Sequence, residues 1–283
     1  MKLMRFLKDN LVGIGIIENT TVYDISKHLP SHSVETITNE WESIAGLDLS
    51  KLPKFSIEQA EQILPPVLGA NKIICVGANS KTHNEEIGVG LKEPMFFFKP
   101  TSTLSGAYDV IPYSKMNKQV DWEGELAVII GQSGKNIPEQ RAMEHVFGYS
   151  CFNDLSDRYW QFKDGGDEIG GQASMAKCFD GFAPLGPWLV TKEDISDPNN
   201  LPMTLTVNGE VRQSFNSSDY IQNVAQCVSQ LSHFMTLSPG DIIALGSGPG
   251  NAKHWQNQFL RPGDQVTFSI EGLGSQKQTV VEV

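Results

Sequence analysis

The 283-residue chain lacks several features that would have fixed its class at once. Its four cysteines, Cys75, Cys151, Cys178 and Cys227, are far apart and form no C-x-x-C pair, which sets aside a zinc knuckle or a thioredoxin-like motif. Three of them lie in apolar segments and read as small core residues in a reducing compartment. There is no basic excess. The net charge is −11, so no nucleic-acid partner is expected, because the phosphate backbone needs a basic surface. No stretch approaches the roughly 18 apolar residues of a membrane helix, so no membrane partner is expected either. The N-terminal MKLMRFLKDN is basic, but Lys8 and Asp9 interrupt its apolar run; this argues against a signal peptide and for a cytoplasmic protein. Internal repeats and low-complexity tracts are also missing.

What remains is an ordinary globular composition, 40% hydrophobic and 19% charged, on a chain long enough for a real core. Residues 1–68 read as a small β-rich domain: MKLMRFL, LVGIGIIE and TVYDIS are strands, and Ser56 and Gln59 make a capping box for a short helix ended by Pro65-Pro66. From residue 69 the texture changes. KIICVGAN, PMFFFKP, FAPLGPWLVT and MTLTVNGEV read as strands, with a hairpin turn at Asn208-Gly209. IPEQRAMEHVFG reads as a helix with Pro138 in its first turn. Residues 219–235 carry Ile221, Val224, Cys227, Val228, Leu231 and Phe234 at helical spacing. SPGDIIALG and RPGDQVTFSIEG pair Pro-Gly-Asp turns with strands. Few helices and many strands, without regular βα alternation, predict a β-rich α+β fold and argue against Rossmann and TIM-barrel architectures.

The stretch VDWEGELAVIIG is the informative one. Its period-two alternation puts Leu126, Val128 and Ile130 on one face of a strand, and Glu123, Glu125, Ala127 and Ile129 on the other. Two adjacent carboxylates on an apolar strand would repel each other and lose hydration. Either they are solvated at a strand edge, or a hard divalent cation lies between them, Mg²⁺, Mn²⁺ or Ca²⁺ rather than zinc. Asp154 and Asp157, after the apolar VFGYSCF, are each either a helix N-cap or a third ligand. His83 and Glu86, spaced H-x-x-E, are either an exposed polar pair or, on a helical turn, a carboxylate-held general base. The Gly-rich, polar segment after them is compatible with a mobile lid. Lys177, in the Gly-rich GGQASMAKCFDGF, is either solvated or set to meet an anion. LGSGPGNAK is neither a Walker A nor a G-x-G-x-x-G motif, but its backbone N–H groups suit an oxyanion.

The order of these pieces is H-x-x-E, F-x-K-P, D-W-E-G-E-L-A-V-I-I-G, N-D-x-S-x-R-x-x-Q, A-K-C-F-D-G-F-A-P-L-G-P-W and P-G-D-I-I. Together they resemble the fumarylacetoacetate hydrolase family, in particular its shorter bacterial members, from about Asn71 to Val283. The resemblance implies a mixed β-roll catalytic domain over 69–283 behind the small N-terminal domain, usually as a homodimer. It implies Mg²⁺ or Mn²⁺, with Ca²⁺ as a substitute in crystals, held by Glu123, Glu125 and Asp154. It assigns water activation to His83 and Glu86, an active-site lysine to Lys177, and pocket-lining roles to Arg158 and Gln161. Many relatives have Asn-Tyr where this chain has Asn79-Ser80, and Gly-Thr-Pro where it has Gly246-Ser247-Gly248-Pro249; Ser247 keeps the hydroxyl for substrate binding. The activity implied is metal-dependent hydrolysis of a C–C bond in a small β-diketo or 2-oxo acid (an acylpyruvate or a diketo-deoxy-sugar acid) through a metal-stabilised enolate. The same site also suits an oxaloacetate tautomerase or decarboxylase, an isomerase or a hydratase. A catalytically weak metabolite-binding relative is the reading of a different class.

Overall fold

The computed structural model describes residues 1–88, 95–162 and 171–283. The Gly-rich segment expected to act as a lid falls mainly in 89–94, outside the described residues. In chain order the N-terminal part forms β1 (Lys2–Lys8), β2 (Leu11–Glu18), β3 (Thr21–Asp24), α1 (Val34–Asn39), α2 (Trp41–Ala45), β4 (Lys54–Ser56) and β5 (Gln62–Leu64). Next come β6 (Ile73–Gly77), α3 (Lys81–Ile87), β7 (Met95–Lys99), β8 (Leu104–Gly106), β9 (Ile111–Tyr113), β10 (Val120–Asp121) and β11 (Gly124–Ile130). The middle holds β12 (Val146–Asn153), β13 (Ser156–Asp157), α4 (Arg158–Phe162), α5 (Ala173–Lys177), β14 (Ala183–Leu185) and β15 (Leu189–Thr191). The chain ends with β16 (Pro202–Val207), β17 (Glu210–Asn216), α6 (Val224–Phe234), β18 (Ile242–Ala244), β19 (Gln265–Ile270) and β20 (Gly274–Glu282).

Among the described residues, a mixed sheet of 13 strands runs β4-β3-β2-β1-β15-β12-β11-β18-β6-β7, with β5, β14 and β8 attached off this path. A second sheet runs β17-β16-β19-β20-β9. The large sheet crosses the boundary expected near residue 68, because β1 pairs with β15, Lys2 opposite Val190. β11 lies inside this sheet between β12 and β18. Its alternation separates two cores. Leu126, Val128 and Ile130 pack with Leu205, Val266 and Phe268 of the second sheet and with the buried face of α6. Ala127 and Ile129 pack with Ile14, Ile16, Ile37 and Ile44 from the N-terminal part. The architecture is thus β-rich α+β with mixed sheets, as the sequence predicts.

Several local expectations shift. The helix expected over 219–235 is only α6, because the Asn223 side chain caps it by accepting from the Gln226 N–H (2.9 Å). Ile221 therefore precedes the helix, and Phe234 is 65% exposed, its ring 5.4 Å from that of Phe96 instead of inside the core. IPEQRAMEHVFG is not an α-helix: Glu139–Glu144 is 3₁₀, and Val146 and Phe147 already belong to β12. The Ser56 helix is one 3₁₀ turn, Ile57–Gln59, whose Gln59 side chain accepts from the Ser56 N–H (3.1 Å). FAPLGPWLVT is two strands, β14 and β15, and the loop expected around Lys177 includes α5.

Candidate active site

Two neighbouring strands deliver the acids. Glu123 directly precedes β11, Glu125 is its second residue, and Asp154 directly follows β12. The antiparallel register sets Gly124 opposite Asn153, which brings Asp154 beside the E-x-E pair. Backbone bonds fix both: the Asp154 N–H donates to the Glu123 carbonyl (2.8 Å) and the Glu123 N–H to the Asn153 side chain (2.9 Å). Gly124 is needed here, because a Cβ on it would lie 2.5 Å from the Phe268 ring. The carboxylates are buried, with Glu123 9%, Glu125 3% and Asp154 1% exposed, so they are not solvated acids at an edge. One oxygen from each lies within 4.8 Å of the others.

Buried charges here are nearly matched, but not fully. Lys177 Nζ donates to Glu123 Oε2 and Asp154 Oδ2, both at 2.6 Å. Lys99 Nζ donates to Asp154 Oδ1 (2.6 Å). Arg158 donates through Nε to Asp121 (2.7 Å), through Nη2 to Glu123 (2.8 Å) and through Nη1 to Gln161 (2.7 Å). Asp121, Glu123, Glu125 and Asp154 therefore face Lys99, Lys177 and Arg158, and one anion is in excess among the described residues. It falls on Glu125, which among the described residues accepts only the Gly246 N–H (2.8 Å). Burial, then the Asp154 and Glu123 carboxylates, push its pKa well above the carboxylate range. Burial also acts to raise Glu123, but Arg158 and Lys177 outweigh it and hold that carboxyl well below the usual range. Unmatched buried charge costs several kcal/mol per ion. A cluster of three carboxylates carrying one surplus negative charge is a donor set that fits a hard divalent cation, with Glu123, Glu125 and Asp154 as the residues that would hold it.

The other expected residues gather around the same cavity, of about 350 Å³, which His83, Glu123, Glu125, Asp154, Arg158, Gln161, Lys177 and Ser247 all line. His83 and Glu86 share one face of α3, with Nδ1 of His83 2.8 Å from Glu86 Oε2. Glu86 also accepts from the Gly250 N–H (3.1 Å). Ser247 accepts from Gln213 Nε2 (2.8 Å). Asp157 turns away from the acids: it accepts from the backbone N–H groups of Lys118 (2.7 Å), Gln119 and Tyr159 (both 3.2 Å), a capping role.

Sequence reasoning missed four contributors. Lys99 is the lysine of F-x-K-P, a motif that could have flagged it. Asn251 donates to Glu123 (2.9 Å) from within the glycine-rich C-terminal loop. His254 lines the cavity with its ring 6.0 Å from that of His83. Gln213 ties Gly124 (3.0 Å) to Ser247, Gly248 and Asn251, and nothing in its local sequence announces this.

Known proteins are similar to this chain in sequence and fold. The family model described as fumarylacetoacetate (FAA) hydrolase C-terminal matches residues 72–281. A 2,4-didehydro-3-deoxy-L-rhamnonate hydrolase of a Sphingomonas species is 36% identical over 286 residues, covering 100% of this chain and 96% of its own length. Fumarylacetoacetate hydrolase from Exiguobacterium antarcticum superposes with a TM-score of 0.89 at 34% identity over 100% of both chains. Maleylpyruvate hydrolase from Sphingobium sp. SYK-6, in complex with manganese(II) and pyruvate, gives 0.84 at 28% identity over 100% of this chain and 99% of its own. A 2-hydroxyhepta-2,4-diene-1,7-dioate isomerase from Mycobacterium marinum gives 0.80 at 29%, over 100% and 98%. With a buried acid trio on neighbouring strands, and a family match over most of its length, this chain belongs to the fumarylacetoacetate hydrolase family.

Proposed function

We propose that this protein is a divalent-metal-dependent hydrolase that cleaves a C–C bond in a small β-diketo or 2-oxo acid. The observation that carries this reading is that His83, held by Glu86, lines one cavity with the acid trio. A Mg²⁺ or Mn²⁺ ion held by Glu123, Glu125 and Asp154 would supply a Lewis acid for the substrate's 2-oxo acid end; the Sphingobium enzyme was solved in complex with manganese(II) and pyruvate, itself a 2-oxo acid.

The chain's own residues do the rest. Glu86, fixed by the Gly250 N–H, accepts the His83 Nδ1 proton and leaves Nε2 to take a proton from water. That water attacks the distal carbonyl. The C–C bond breaks, its electron pair goes to the carbon next to the 2-oxo group, and the His83 imidazolium returns the proton there. The products are two acids. Lys177, buried against Glu123 and Asp154, adds positive charge beside the developing oxyanion. Arg158 and Gln161, joined to each other, and Ser247 shape the substrate's seat. In this reading the enzyme works as a homodimer, and light scattering at twice the 31.2 kDa chain mass supports that where a monomer refutes it.

The isomerase among the structural neighbours keeps a second reading in play: a tautomerase, isomerase or decarboxylase using the same cation without the placed water. One screen separates them. Chelator-stripped protein is reloaded with Mg²⁺ or Mn²⁺ and offered acylpyruvates, diketo-deoxy-sugar acids and oxaloacetate, with products identified by mass. Metal-dependent cleavage into two acids that falls about 10²–10⁴-fold in His83→Ala supports the hydrolase. Enol loss without cleavage, or CO₂ release, moves the assignment to the second reading. No turnover with any metal favours a metabolite-binding protein.

A further inference from the structure

We propose that Asp219, acting through Ser80 and Thr82, is a positioning residue that holds the water-activating pair in place before substrate arrives. The inference rests on the reading of His83 and Glu86 as the general-base pair. It starts from a weakness of α3. The helix has seven residues and buries only Asn84, and a helix this short is not stable by itself in water. Something else must set the direction of His83.

Asp219 does not line the cavity, yet its carboxylate gathers three donors from the first turn of α3. The Thr82 N–H (3.2 Å) and hydroxyl (2.8 Å) donate to Oδ2, and the Ser80 hydroxyl donates to the same oxygen. Ser80 Oγ in turn accepts the backbone N–H of His83 (3.0 Å). The path from Asp219 to the catalytic histidine is thus two hydrogen bonds long, and its first bond joins residues 139 apart in sequence. Charge-assisted bonds of this kind are stronger than neutral ones.

The platform is itself anchored. Asp219 ends the 3₁₀ turn Ser217–Asp219, and Ser217 Oγ is buried, accepting the Leu201 N–H (2.8 Å) and donating to the Pro198 carbonyl (2.9 Å). Asn79, just before α3, fastens the same two regions: its Nδ2 donates to the Gln222 carbonyl (3.1 Å) and its Oδ1 accepts the Gln222 N–H (2.9 Å). The small Ser80 hydroxyl fits between Asp219 and the His83 N–H.

Two measurements on the intact protein test the latch. Hydrogen exchange of residues 80–88 is followed without substrate in wild type, Asp219→Ala, Thr82→Ala and Thr82→Ser. Steady-state kinetics use the best substrate of the screen, with His83→Ala as control. The latch predicts protection in wild type and exchange about tenfold faster in Asp219→Ala. It predicts a lower kcat with KM within about twofold, since the fraction of competent helix scales turnover. Thr82→Ala, at an exposed side chain, gives a smaller effect that Thr82→Ser restores. A wild-type helix that exchanges freely overturns the proposal, as does a normal kcat in Asp219→Ala beside an inactive His83→Ala. Full turnover by His83→Ala sinks the general-base reading and the positioning role with it, whereas the exchange data still judge the tether.

Discussion

Replacing Glu125 by Gln tests the charge imbalance at the acid trio. In metal-free protein its carboxyl has a pKa pushed well above 4.5, first by burial and then by Asp154 and Glu123. An acid of raised folded pKa binds its proton more tightly folded than unfolded. Its cost to stability is therefore absent below the unfolded value and grows as pH rises through the window up to the folded one. Gln carries none of that cost: its carbonyl can still accept the Gly246 N–H, and its amide faces the two remaining carboxylates. Metal-free Glu125→Gln is expected to melt at or above metal-free wild type near neutral pH, and the difference to vanish below about pH 4.5. With metal the order inverts. A cation at 100 times its Kd stabilises wild type by about 2.7 kcal/mol, a Tm gain of about 5–8 °C. Losing one of three ligands weakens binding by about 100-fold or more, at least as much as losing an outer partner. The variant then sits near its Kd, where the gain is only about 0.4 kcal/mol, or about 1 °C. Thermal unfolding with chelator and then with Mn²⁺ measures both limbs. Equal metal shifts in the two proteins would remove Glu125 from the ligand set, and a metal-free variant melting several degrees below wild type would refute the imbalance itself.

Two further substitutions probe the scaffold. Gly124→Ala places a methyl 2.5 Å from the Phe268 ring and is expected to cost about 1–3 kcal/mol, read as a lower urea midpoint at unchanged slope; an unmoved midpoint would mean that Phe268 swings aside freely. Gln213→Leu strands the Gly124 N–H and frees the loop at Ser247 and Asn251, with an expected loss of about 1–3 kcal/mol and weaker metal-dependent turnover. A Leu variant as stable and as active as wild type would mean that water replaces the glutamine without penalty.

What the sequence made legible here was local or periodic. The alternation of VDWEGELAVIIG assigned each of Leu126 to Ile130 to its correct core, because a strand has only two faces. The H-x-x-E spacing placed His83 beside Glu86 because α3 is helical there. The ends of elements were less legible. Apolar spacing extended the α6 stripe to Ile221 and Phe234, but the Asn223 cap and the exposed end of the helix restrict the buried stripe to Val224 through Leu231. Long-range partners were not legible at all. Gln213 and Asn251 act on Gly124 and Glu123 from 89 and 128 residues away, and no local pattern encodes a pairing that only the folded sheet creates.

That separation has a consequence for how the enzyme is made. Glu125 leaves the ribosome 121 residues before Gly246, its N–H donor, and Glu86 164 residues before Gly250. At about 5–20 residues per second, the two glutamates wait roughly 6–30 s for those partners. Over the same interval β11 has no β18 beside it, and one of its edges is open to pairing with another nascent chain. The acid trio is therefore open to divalent cations before the loop that completes it exists. In the proposed reading, a ribosome stalled between residues 154 and 250 would release a chain that carries all three acids of the metal site but lacks the Gly250 N–H that fixes Glu86.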